Sequence, residues 1–302
     1  MRGFCSSVRA TAAVNHVTVI GGGLMGSGIV QVTAQAGIDV TMVDMSHDVL
    51  NKSVDRIGKS LGRVVKKKFA ADPAQGQAFM ADTLAKISTS TGACAAAANT
   101  DVVIEAIVEN IGVKRKLFKE LDDAAPSHTI FTSNTSSLPI TEIAQATSRL
   151  DRFGGYHFFN PVPVMKLLEV VRIRETSDET FNTLLDLGKK LGKSTVKCKD
   201  TPGFIVNRLL VPYMAEAVRM LERGDASARD IDLAMKLGAG YPMGPFELSD
   251  YVGLDTTKFI VEGWHEKYPD EPLFHPSPML EQLVAEGKLG VKSGEGFYKY
   301  DK

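Results

Sequence analysis

The stretch HVTVIGGGLMGSG, residues 16–28, restricts the fold more than any other part of the chain. His16 to Ile20 is β-branched at every position after the histidine, which reads as a buried strand. Gly21, Gly23 and Gly26 follow at once as G-x-G-x-x-G, and the apolar spacing from Leu24 to Ala36 predicts a helix stopped by Gly37. In a strand-to-helix junction of this kind, the first glycine permits the tight turn. The second admits a pyrophosphate to the backbone, and the third lets helix and strand pack closely. The helix N-terminus then faces the phosphates with unpaired N–H groups. A second strand, IDVTMVD, ends at Asp44, 23 positions beyond Gly21. A carboxylate there accepts from the adenosine ribose hydroxyls and repels a 2′-phosphate, so NAD is expected in preference to NADP. Taken alone, Asp44 also fits as a helix-start residue.

Strand–helix alternation continues beyond this unit. Ser46 is placed to cap a helix that runs on to a basic end at Arg63, Lys66, Lys67 and Lys68, with Ser60 one or two turns earlier. Such an end reads either as a solvated face that suits the helix dipole or as a seat for an anionic ligand. The run DVVIEAIV, Asp101 to Val108, predicts a buried strand that ends at Glu109 and Asn110, with Lys114 in the helix behind it. Parallel strands open onto a ligand crevice at their carboxyl ends, which would bring Glu109 to the cofactor. The next strand, TIFTSN, ends in Ser133, Asn134, Thr135, Ser136 and Ser137. One of these groups suffices to cap a helix, and the others remain for a substrate or a nicotinamide. The expected architecture is a doubly wound α/β sheet of the Rossmann type.

The stretch YHFFNPVPVMKLLEVVRIR, residues 156–174, is where chemistry is expected. His157 lies in a short aromatic strand that Asn160, Pro161 and Pro163 interrupt. A second strand, Leu167 to Ile173, carries one carboxylate, Glu169, which is costly to bury without a donor or a cation. Two strands joined by so short a link lie near each other, which makes His157 its obvious partner. A carboxylate on one imidazole nitrogen fixes the tautomer and raises the basicity of the other, giving a general base at neutral pH. A structural histidine beside a solvent-facing Glu169 is the alternative.

An amphipathic helix over 177–191 and a strand STVKCKD close this domain near Asp200, and helical periodicity takes over from Thr201. Pro212 stands inside the first of the later helices, and Ile205, Leu209, Leu210 and Met214 give it apolar faces that need covering. The expectation is therefore a dinucleotide-binding domain over 14–200 and an all-helical domain over 201–302. A net charge of −1 argues against a nucleic-acid scaffold, and no apolar run reaches the ~20 residues of a membrane span. Cys5, Cys94 and Cys198 lack metal-type spacing, so no metal is expected, and their sparseness points to a reducing compartment. Residues 1–13 contain Arg2 and Arg9, serines and threonines, and the first acid of the chain is Asp39. That composition fits a mitochondrial presequence, or a merely disordered terminus.

GGGLMG, AIVEN, SNTSSL, HFFNPVPVMKLLEV, DTPGFIVNRLL, GYPMGPFEL, DYVGLDT and KSGEGFY occur in this order across nearly the whole chain. Together they resemble the 3-hydroxyacyl-CoA dehydrogenase family of β-oxidation, in its mitochondrial short-chain branch. The resemblance implies oxidation of the 3-hydroxyl of an (S)-3-hydroxyacyl-CoA to a 3-oxoacyl-CoA with NAD as hydride acceptor, in the mitochondrial matrix. It also implies that His157 is the base, Glu169 its orienting partner, and Ser136 and Asn207 the groups that bond the substrate oxygen. By the same resemblance Gly21, Gly23, Leu24, Met25, Gly26 and Asp44 hold the adenosine end of the cofactor. Glu109, Lys114, Ser136, Asn160 and Lys292 contact it elsewhere, and Ser60, Lys67 and Ser136 contact the CoA substrate. A homodimer through the helical domain is implied too, which would cover the apolar faces noted above. Two rival readings are a non-catalytic NAD-binding protein and a dehydrogenase of free 3-hydroxy acids. The intact set of His157, Glu169, Ser136 and Asn207 speaks against the first, and the basic helix with Ser60 and Lys67 against the second.

Overall fold

The computed structural model describes residues 13–300. The presequence expected over 1–13 falls almost wholly outside them. The chain divides into one unit ending at Phe204 and a second beginning at Ile205.

The first unit opens with β1 (His16–Ile20), α1 (Leu24–Gln35), β2 (Asp39–Val43), α2 (His47–Lys68), α3 (Pro73–Ala85) and β3 (Ile87–Ser90). It continues with α4 (Ala93–Ala97), β4 (Val102–Glu105), α5 (Ile111–Ala124), β5 (Ile130–Ser133) and α6 (Ile140–Ala144). β6 (Phe153–Phe158), β7 (Leu167–Arg172), α7 (Asp178–Lys190) and β8 (Ser194–Lys199) complete it. The eight strands form one sheet in the order β3-β2-β1-β4-β5-β6-β7-β8. All neighbours are parallel except β6 and β7, which run antiparallel. Central strands covered on both faces need continuous apolar runs, and Val17, Val19, Val102, Val103 and Ile104 are fully buried. One face packs on Ile29 of α1, Leu50, Ile57 and Leu61 of α2, and Leu184 of α7. The opposite face packs on Ala97 of α4, Phe118 and Leu121 of α5, and Ile140 of α6. This is the doubly wound Rossmann-type arrangement.

Two local expectations are corrected. The strand read over Asp101 to Val108 ends at Glu105, because the Glu105 carboxylate accepts from the Ile107 N–H at 2.7 Å and turns the chain. Ser46 does occupy the N-cap of α2, but its hydroxyl makes no capping bond, and Asp48 supplies negative charge in the first turn instead. α3 and β3 were not read from the sequence at all. Ser177, by contrast, caps α7 by accepting from the Thr180 N–H at 3.1 Å.

The second unit contains α8 (Val206–Glu222), α9 (Ala228–Ala239), α10 (Pro245–Val252), α11 (Leu254–Lys267) and α12 (Pro278–Ala285). α8 runs on through Pro212. Val211, Met214, Val261, Trp264 and Phe274 form one core cluster, and Ala217, Val218, Ile231 and Phe246 another. Buried carboxylates fasten the later chain: Asp232 accepts from the Phe246 and Glu247 N–H groups and the Tyr298 hydroxyl. Asp250 accepts from the Phe297 and Tyr298 N–H groups and the Tyr300 hydroxyl. Among the described residues no helix is long and apolar enough to cross a membrane.

Candidate active site

The glycine turn lies between β1 and α1. A β-carbon at Gly21 would stand 2.4 Å from the Ala106 carbonyl oxygen, and one at Gly26 would stand 1.7 Å from the Gly21 oxygen. Both positions are thus closed to any side chain by backbone. Gly23 differs: a β-carbon there meets nothing within 4 Å, so no described residue of this chain requires a glycine at this position. The open space lies at the N-terminus of α1, which has no side-chain cap and no acid in its first turn. Such an end suits a pyrophosphate. Asp44 follows β2 directly and accepts from the Gly22 N–H at 2.7 Å through Oδ2. Its Oδ1 has no partner among the described residues, which leaves it for ribose hydroxyls. Leu24 is exposed beside the turn and Met25 packs against the core. The residues therefore fit a dinucleotide.

β4 and β5 carry a buried charge network. The Lys114 ammonium, 1% exposed, donates to Glu105 Oε1 at 2.6 Å and lies 3.2 Å from Glu109 Oε2. Glu105 also accepts from the Ser133 hydroxyl at 2.6 Å. Glu109 Oε1 gathers the turn after β5, accepting from the Thr135 hydroxyl, the Ser136 N–H at 3.2 Å and the Ser137 hydroxyl at 3.0 Å. Burial pushes the Glu109 carboxyl up, but the Lys114 charge and the hydrogen bonds from Thr135, Lys114 and Ser137 outweigh it and hold the group below its usual value. Glu109 and Lys114 thus shape the loop that presents Ser136.

β6 and β7 place His157 directly opposite Glu169. Residues opposite each other in an antiparallel pair share a face with their side chains in reach, so the register alone brings imidazole and carboxylate together. His157 Nδ1 lies 2.7 Å from Glu169 Oε2, with Glu169 fully buried and His157 5% exposed. A carboxylate shut away from water needs a donor, and Nδ1–H supplies one. That bond leaves Nε2 as the basic nitrogen, and Nε2 makes no hydrogen bond among the described residues. The adjacent Phe158 N–H donates to Asn134 Oδ1 at 2.8 Å, tying β6 to the serine-rich turn. Behind Glu169, burial first and then the charges of Glu169 and Asp200 push the Cys198 thiol up to about 12, which makes it inert as a nucleophile.

The link between β6 and β7 is held by Lys193, whose ammonium donates to the carbonyl oxygens of Val162 and Met165. Burial, with help from the Lys166 charge, lowers the Lys193 pKa to about 8. A neutral amine still has two N–H donors for these two carbonyls. Asn160 in this link lines a small cleft with Ser27, Arg56, Ser60 and Arg63. Ser60 is half-buried in that cleft, and Lys67, two turns on along α2, is exposed. Asn207 lies in α8 and Lys292 pairs with Asp255, both in the second unit. Sequence reasoning missed Glu105, Lys193 and the rings of Phe159 and Phe204, whose centroids lie 4.5 and 5.6 Å from that of His157. Only Glu105 left a signal, a carboxylate closing an apolar strand nine positions before a lysine.

Two family models match this chain. The 3-hydroxyacyl-CoA dehydrogenase NAD binding domain covers residues 16–201, and the 3-hydroxyacyl-CoA dehydrogenase C-terminal domain covers 203–300. The mitochondrial hydroxyacyl-coenzyme A dehydrogenase of Sus scrofa is 62% identical over 305 residues, spanning 99% of this chain and 97% of the relative. The Homo sapiens protein of that name gives the same identity and coverage. Among solved structures, (S)-3-hydroxybutyryl-CoA dehydrogenase from Ralstonia eutropha superposes with a TM-score of 0.90. It is 42% identical and covers 96% of this chain and 100% of its own.

Proposed function

The chain belongs to the 3-hydroxyacyl-CoA dehydrogenase family and is an NAD-dependent oxidoreductase, and from that premise we propose that it oxidises (S)-3-hydroxyacyl-CoA to 3-oxoacyl-CoA with His157 as general base. One observation carries the reading: a buried imidazole and a buried carboxylate in direct cross-strand register, 2.7 Å apart. Glu169 holds the Nδ1–H tautomer, so His157 Nε2 takes the proton from the 3-hydroxyl. The imidazolium that results is stabilised by the carboxylate on its other nitrogen. Bound NAD+ supplies the hydride acceptor for the hydrogen on C3. Ser136 and Asn207 bond the substrate oxygen and hold the carbon in line. Ser60, half-buried in its cleft, and Lys67 at the basic end of α2 take the CoA carrier, which favours a thioester over a free 3-hydroxy acid. Residues 14–200 serve the cofactor and 201–302 the substrate and a twin subunit.

The place of action in this reading is fatty-acid β-oxidation in the mitochondrial matrix. Its supports are the mitochondrial relatives named above and the acid-free, arginine-containing start of the chain. Exposed Leu209, Leu233, Leu237 and Phe259 of the second unit support a homodimer.

The test is His157→Gln. Turnover is expected to fall by about 10²–10⁴-fold, the usual share of a general base, with NADH affinity nearly unchanged. Turnover within a few-fold of wild type would remove His157 from the role.

A further inference from the structure

Among the described residues Phe204 is the one non-glycine residue with a positive φ, at 53°. L-residues with a β-carbon avoid this region, and where they occupy it the surroundings must impose it. Here they do. Thr201, Pro202 and Gly203 bring the chain round in a turn closed by the Phe204 N–H donating to the Thr201 oxygen at 2.9 Å. Proline at the second position and glycine, with φ 74°, at the third fit a turn that needs a left-handed third residue. The turn is fastened from outside as well. Asp200 accepts from the Ile140 and Thr141 N–H groups at 3.0 and 2.8 Å and from the Thr141 hydroxyl at 2.6 Å, which pins its start to α6. Phe204 is 4% exposed, and its ring joins the core cluster that contains Ile140 and Val171. The same ring lies 5.6 Å from the His157 ring.

We propose that Phe204 is a positioning residue: it holds a left-handed backbone just past the 201–203 turn because its buried ring packs on His157, where it fixes the imidazole plane and keeps water from the His157–Glu169 pair. This rests on the reading of His157 as the base. The strained residue is thereby explained by what it touches. An unstrained residue at 204 would direct its side chain elsewhere, and among the described residues the Phe159 ring, 4.5 Å from His157, would be left as its one aromatic neighbour.

The experiment compares Phe204→Gly, which tolerates the backbone but loses the ring, with Phe204→Leu, which keeps apolar bulk without a flat face. Both are measured in the oxidation direction for kcat and KM, beside His157→Gln. The Gly variant is expected to lose at least about tenfold in kcat with KM for NAD unchanged, and the Leu variant to fall between it and wild type. A merely structural role would lower the amount of folded protein or raise KM for NAD and leave kcat of the folded fraction in place. If the Gly variant does not fold, the Leu variant alone carries the same test. A kcat within twofold of wild type in a folded variant would overturn the proposal while His157→Gln remains inactive. Activity in His157→Gln would overturn the underlying reading instead.

Discussion

At the scale of single residues the proposed chemistry turns on charge placed where water is absent. Glu169 is fully buried and meets His157 Nδ1 at 2.7 Å, so its charge is felt by the imidazole with little screening. Glu169→Gln keeps the shape and removes the charge. Turnover is expected to fall by at least about 10²-fold, because a neutral amide neither orients nor stabilises the imidazolium as a carboxylate does. Wild-type activity in Glu169→Gln would remove it from the mechanism. The pair was legible in the sequence because two short strands with a short link place side chains by a period of two. Phe204 was not legible: a phenylalanine after Pro-Gly reads as core, and only the tertiary contact shows which ring it meets. The Glu105–Lys114 pair was half legible, since the sequence shows both residues but not that burial forces them together.

At the scale of elements the β1–α1 junction makes two glycines testable against each other. A β-carbon at Gly26 would sit 1.7 Å from backbone oxygen, so Gly26→Ala must push α1 away from the turn. A loss of about 3 kcal/mol in stability is expected, at the upper end for overpacking, together with weakened NADH binding. Gly23→Ala meets nothing in the protein, and its φ of −67° suits alanine. Its stability is expected to stay within about 1 kcal/mol of wild type, the scale of an N-cap change, while NADH affinity falls at least tenfold. Denaturant melts and fluorescence titration read the two effects separately, and intact NADH binding in Gly23→Ala would contradict the site. The glycine turn, Asp44 and the strand–helix alternation were readable because each is a local rule. The antiparallel seating of β7, the short β4 and the small β3 were not, because partner strands and a side chain that turns the backbone decide them.

At the scale of the whole molecule, the exposed apolar residues of the second unit bear on assembly. Leu237 on α9 is 79% exposed, and Leu209 and Phe259 are similarly bare. Sedimentation of the wild-type protein is expected to give twice the mass of the chain, and an aspartate in the proposed interface, Leu237→Asp, to shift it toward the single chain. A monomeric wild type would remove the dimer. Met214, one of four apolar residues read as needing cover, is satisfied inside its own unit at 4% exposure, whereas Leu209 is not. Periodicity shows an apolar face without showing what covers it. The central claim, that this chain is a dehydrogenase of CoA thioesters, is tested most directly by NADH absorbance when the purified protein meets acetoacetyl-CoA, with free acetoacetate in parallel. Consumption of NADH with the thioester and not with the free acid is the expected result. No consumption with either, in protein shown to bind NADH, would contradict it.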